Sequence, residues 1–154
     1  MKQSFADDIN AIIYKSRDMA IQLEQYQIDL DMVMLALTLV EESTARQLLL
    51  DLGCDLDVLA ESIEKELIPS DQRKDGSIPM TRLAEKVIKC TLMEAYDLGE
   101  EELFEVLQTD SRPADRPVRS EHMLLSMLRM EDEPLIKEMK RRWNIDHQRV
   151  KEAM

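Results

Sequence analysis

The chain repeats itself. Residues Phe5–Ala20 (FADDINAIIYKSRDMA) and Met80–Ala95 (MTRLAEKVIKCTLMEA) align without a gap at an offset of 75. The alignment sets Ile9 on Ala84, Ile12 on Val87, Ile13 on Ile88, Ser16 on Thr91 and Ala20 on Ala95. Further on, LDMVML (30–35) lies over SEHMLL (120–125) at an offset of 90, and LGCD (52–55) lies over WNID (143–146) at 91. The offset grows because the second copy carries about 15 extra residues between Gly99 and Val118. A unit repeated at this length is a folding module, and two such modules bury their apolar faces against each other.

Each copy reads as four helices. Phe5, Ile9, Ile12, Ile13, Ala20 and Leu23 follow 3.6-residue spacing, which predicts a helix over 5–24 and, by alignment, another over 81–98. The run 31–40 (DMVMLALTLV) is apolar on nearly every side, so it belongs at the centre of a domain, with 121–130 as its counterpart. Ser43 is suited to N-cap a third helix that Gly53 ends in a left-handed turn, and Asn144 stands at the equivalent position. Asp55 and Asp146 then cap the fourth helices. Trp143, the single tryptophan, is expected to fill core just before its turn.

The fold implied is all-α: one pseudo-twofold domain of about eight helices over 1–154. Repeat one spans 1–65 and repeat two 80–154, with the Pro/Gly-bearing stretch 66–79 as an exposed linker. Residues 100–117 form an insertion, acidic and helix-prone through Gln108, then rich in Pro, Asp and Arg and expected to be poorly ordered over 109–117.

Charge narrows the partners. The net is −12, and residues 1–63 hold 4 Lys+Arg against 12 Asp+Glu. That is the wrong sign for nucleic acid; Lys140–Arg142 reads instead as a solvated helix end. No apolar stretch reaches membrane-spanning length, and residues 1–10 do not resemble an export signal, so a soluble, cytoplasmic protein is expected. Cys54 and Cys90 fall at non-equivalent positions and form no CxxC, with Cys90 expected as a buried free thiol. Of the 11 methionines, Met32, Met34, Met123 and Met127 suit the core, while Met19 and Met130 are the candidates for an exposed, adaptable surface.

SEHMLLSMLR (120–129) resembles the TEHLLLGLLR signature of the Clp N-terminal repeat, found in front of the ATPase modules of Hsp100/Clp unfoldases. MTRLAEKVIKCTLMEA is similar to the opening motif of each family repeat, FTxRAxxVLxxAxxEA, and FADDINAIIYKSRDMA resembles it less closely. LGCDLDVL and WNIDHQRV resemble the closing LGVDLDKL. The first copy departs from the pattern, with Leu30-Asp31-Met32 for Thr-Glu-His and Ala6 for Thr. The second copy keeps Thr81, Ser120, Glu121 and His122.

The resemblance implies a non-catalytic domain that captures protein substrates or adaptors for an AAA+ unfoldase. A free-standing regulator of the same machine is the alternative, and a helical enzyme or metal-dependent sensor a more distant one. The second copy ends at Met154, the position matching Ile63, as expected of an excised N-terminal domain.

No GxxxxGK[ST], HExxH, GxSxG or GxGxxG motif is present, and no cofactor or metal is expected. His122 is expected to make a local hydrogen bond at a helix start.

A helix start near Ser120 offers unpaired N–H groups to an anion, and Glu121 could pair with a guanidinium. The ClpC-type branch of the family docks phosphoarginine-tagged proteins at such positions. Resemblance therefore implies Thr81, Ser120 and Glu121 as candidate phosphoarginine ligands, with Asp31 as the weaker equivalent in the first copy. The competing reading makes Ser120 and Thr81 helix caps and leaves Glu121 on a solvated helix start, favouring the dipole.

Overall fold

The computed structural model describes residues 7–69, 78–96, 99–109 and 118–154. In the first copy, α1 (Asp7–Gln22), α2 (Leu30–Leu39), α3 (Thr44–Asp51) and α4 (Leu56–Glu66) follow in order. In the second, α5 (Arg82–Tyr96), α7 (Ser120–Leu128), α8 (Pro134–Trp143) and α9 (His147–Ala153) repeat that order, with α6 (Glu100–Thr109) between α5 and α7. The described residues thus hold nine helices; α6 is the ninth and lies in the insertion. Residues 110–117 and 70–77, where the insertion's tail and most of the linker fall, lie outside the described residues.

Helices α2 and α7 are central because their sequences leave no polar face. Leu30 and Met32–Thr38 are buried in α2, and Ser120 and Met123–Leu128 in α7. Each is covered by the amphipathic helix that opens its own copy, α1 on α2 and α5 on α7. The buried side chains of both copies form one continuous cluster, from Ile9 and Leu35 to Leu125 and Val150. Burying one such leucine or isoleucine contributes roughly 1.5–3 kcal/mol. The small hydroxyls aligned in sequence play one role: Ser16 Oγ donates to Ile13 O at 2.6 Å and Thr91 Oγ1 to Val87 O at 2.9 Å, so each satisfies itself within its own helix.

Turn chemistry repeats as the letters suggest. Ser43 Oγ accepts from Arg46 N at 3.1 Å, Asp55 Oδ1 from Val58 N at 3.2 Å, and Asp146 Oδ1 from Arg149 N at 2.9 Å. Gly53 has φ +89 and Asn144 φ +55, so both fill the left-handed turn that ends the third helix of a copy. Two residues before α5, a short parallel bridge ties the copies together: Ile28 N donates to Pro79 O and Thr81 N to Ile28 O, each at 2.9 Å.

Three expectations need correction. Cys90 is half-buried, because the buried stripe of α5 runs through Val87, Thr91 and Leu92 and leaves position 90 on its margin. Cys54 is the buried thiol, and burial, followed by the Asp55 charge, pushes it up to about 12. Met19 is 8% exposed and packs in the core, and Met130 is half-buried against it; neither offers an open methionine surface. Trp143 is also half-buried, its ring packed on the core with the Arg142 guanidinium 5.8 Å from the ring centre.

Candidate functional site

Two polar clusters lie at helix starts, and both combine residues from the two copies. The first gathers at the start of α7. Ser120, fully buried, donates through Oγ to Asp8 Oδ2 at 2.6 Å, and its Oγ accepts from Ala45 N at 3.0 Å. The Ser120 N–H points to the same carboxylate at 3.3 Å, and the Thr44 N–H donates to Asp8 Oδ2 at 3.2 Å. Glu121 accepts from the Thr44 hydroxyl. The Asp8 carboxylate therefore accepts from the first residues of α3 and α7 at once, the place where a helix N-terminus favours negative charge.

The second cluster gathers at the start of α2. Asp29 caps it, accepting from Leu30 N at 2.9 Å and from Thr81 Oγ1 at 2.7 Å. Thr81 Oγ1 in turn accepts from Ala84 N at 3.1 Å, which makes Thr81 the N-cap of α5. Asp31 sits in the first turn of α2, half-buried. Its carboxyl is raised to about 6, by burial first and then by the charges of Asp29, Glu133 and Glu66.

The sequence-derived residues are thus shared between two places. Ser120 and Glu121 meet Asp8 and Thr44, whereas Thr81 bonds to Asp29 beside Asp31; none of these hydrogen bonds joins Thr81 to Ser120 or Glu121. Glu121 is not on a solvated helix start. It is half-buried, because α3 of the other copy abuts α7 and brings Thr44 to it. Sequence reading missed Asp8, Thr44 and Asp29. One signal was available: Asp8 stands where the opening motif has arginine, a reversal of charge.

Away from these clusters, His122 Nδ1 accepts from Arg119 N at 3.0 Å, the local bond expected of a helix-start histidine. Burial holds the His122 imidazole below its usual range. Glu94, on α5, pairs with Arg129 and lies 2.9 Å from His147 Nε2. Burial by itself would raise the Glu94 carboxyl; the bonds from Arg129 and His147 outweigh it and leave it lowered. Among the described residues, no group of His, Cys, Asp and Glu is arranged to hold a metal ion. No described helix is long and apolar enough to cross a membrane.

A duplicated all-α domain with this helix order defines a class, and comparison with known families names it. The Clp repeat (R) N-terminal domain family matches over residues 4–104, and the chain belongs to that family. Its fold is similar to the N-terminal domain of Hsp104 from Candida albicans, with a TM-score of 0.64 and 16% identity, over 97% of this chain and 88% of that one. It is likewise similar to the N-terminal domain of the chaperone ClpD from Arabidopsis thaliana, with a TM-score of 0.60 and 12% identity, over 97% and 90% of the two chains. The N-domain of ClpV from Vibrio cholerae gives a TM-score of 0.58 and 14% identity, over 99% and 90%. No curated protein matches by sequence.

Proposed function

We propose that the chain is a non-catalytic docking domain, capturing protein substrates or adaptors in the cytoplasm for the AAA+ modules of a Clp/Hsp100 unfoldase. The observation that carries this reading is family membership together with a fold similarity that spans 97% of the chain. Docking of phosphoarginine-tagged proteins is proposed at the two helix starts, where Glu121 and Asp31 offer carboxylates to a guanidinium. The phosphate would use the Ser120 and Thr81 donors. Each of these already serves an internal carboxylate, Asp8 or Asp29, so a phosphate must displace that partner to bind.

The test is calorimetric titration of the chain with a phosphoarginine peptide and with its unmodified arginine counterpart. A charge-assisted bond contributes about 1.5–3 kcal/mol, so Glu121→Ala should weaken the phosphoarginine peptide about tenfold, and Asp31→Ala less. Equal affinity for both peptides, or an affinity unchanged in both variants, would reject phosphoarginine recognition. A permanently unfolded protein, titrated in parallel, tests substrate capture separately; if it and every peptide fail to bind, the docking role itself falls.

A further inference from the structure

Helix α1 and the corner between α2 and α3 line a shallow groove of about 390 Å³ that is open to solvent. It is lined by Ala11, Tyr14, Leu39 and Val40 together with the charged Lys15, Asp18, Glu41 and Glu42. Tyr14 is 71% exposed and Leu39 40%. Leu39 is the one apolar residue of α2 left in solvent, although every position from Met32 to Thr38 is buried. One turn beyond Asp18 on the same face of α1, Ile21 extends the apolar surface at 43% exposure. An aromatic and two aliphatic side chains in solvent along one shallow groove make an anchor site rather than a scatter of surface residues.

Charge selects the occupant. Three exposed carboxylates, Asp18, Glu41 and Glu42, face one ammonium, Lys15, in a copy whose residues 1–63 carry 12 acids against 4 bases. A second molecule of this chain, itself at −12, would bring like charge to that rim. We infer that this groove docks a basic amphipathic protein segment, with an apolar side chain on Tyr14 and Leu39 and flanking Lys or Arg against Asp18, Glu41 and Glu42. The inference rests on the docking role proposed above and names the kind of segment that one face takes.

The experiment titrates the whole chain with a labelled peptide bearing Leu and Phe anchors flanked by Arg and Lys. A second peptide keeps the anchors and has Glu at every basic position. The basic peptide should bind and the acidic one should not, and binding should weaken as salt is raised. Tyr14→Ala with Leu39→Ala should weaken it about tenfold, the scale of an interface anchor, and Glu41→Gln with Glu42→Gln severalfold. All four side chains are exposed, so circular dichroism should show these variants folded.

Equal binding of the two peptides overturns the inference. So does basic-peptide binding that is lost in Glu121→Ala or Asp31→Ala but kept in the groove variants, a result that leaves the docking role standing. Self-association of the wild type, abolished by Leu39→Ala, would make a second copy the occupant and also overturn it.

Discussion

At the scale of single residues, the outcome turns on whether a side chain's partner is near in sequence or far. Ser43, Gly53, Asp55, Asn144 and Asp146 cap or turn the chain within four residues of themselves, and those roles were legible because capping is local chemistry. Asp8 meets Ser120 across 112 positions and Thr44 meets Glu121 across 77; only the assembled fold brings those pairs together. Asp8→Ala would leave the buried Ser120 hydroxyl and two helix-start N–H groups without their acceptor. Chemical denaturation should show a loss of about 1–3 kcal/mol. Asp31 should behave in the opposite way. Its folded carboxyl lies near 6 against an ordinary 3.8, so the native state binds more protons between those values and stability falls as pH rises through that window. Asp31→Asn should therefore stabilise the domain at pH 7 by about 1–2 kcal/mol, after discounting for solvent screening, and the gain should vanish below pH ~4. A variant no more stable than wild type at pH 7 would show that burial and the neighbouring carboxylates do not destabilise the charged form of Asp31.

Among the helices, type and order were legible because apolar spacing is a property of each segment by itself. The copies α1–α4 and α5, α7–α9 follow the aligned motifs, and α6 is the helix expected within the insertion. What the spacing did not show is which copy's elements meet. The start of α7 receives Thr44 from α3 and Asp8 from α1, both of the first copy, while the start of α2 receives Thr81 and the charge of Glu133 from the second. Thr81 and Glu121 share a copy in sequence and yet serve different clusters. Glu94 joins α5 to α9 through His147 and to the residue that ends α7, Arg129. Its carboxyl is held low, so it contributes stability above its unfolded value near 4.5, and that contribution is lost as pH falls through the lower, folded value. Glu94→Gln should cost about 1–3 kcal/mol at neutral pH, and urea curves of variant and wild type should converge as pH falls. A cost that persists unchanged at acidic pH would mean packing, not charge, is what Glu94 supplies.

Taken as a molecule, the chain holds two copies around one core, and their mutual dependence follows from where the apolar side chains go. Leu35 of α2 and Leu125 of α7 belong to one buried cluster, and the backbone bridge from Ile28 to Met80 joins the copies again at its edge. Neither copy by itself would cover its central helix, since α7 is packed by α3 and α1 of the first copy as well as by α5. Unfolding should therefore be a single cooperative transition, although the sequence is a duplication. Trp143, the only tryptophan, reports on the second copy, whereas far-ultraviolet circular dichroism reports on the helices of both. The two signals should give one urea midpoint. Leu35→Ala removes side-chain volume from a fully buried site in the first copy and should cost about 2–5 kcal/mol. If the core is shared, that loss moves the Trp143 transition as far as the dichroism transition. A Trp143 midpoint left in place while the dichroism splits into two steps would show two independent halves, and the pseudo-twofold domain would then be a pair of modules in contact.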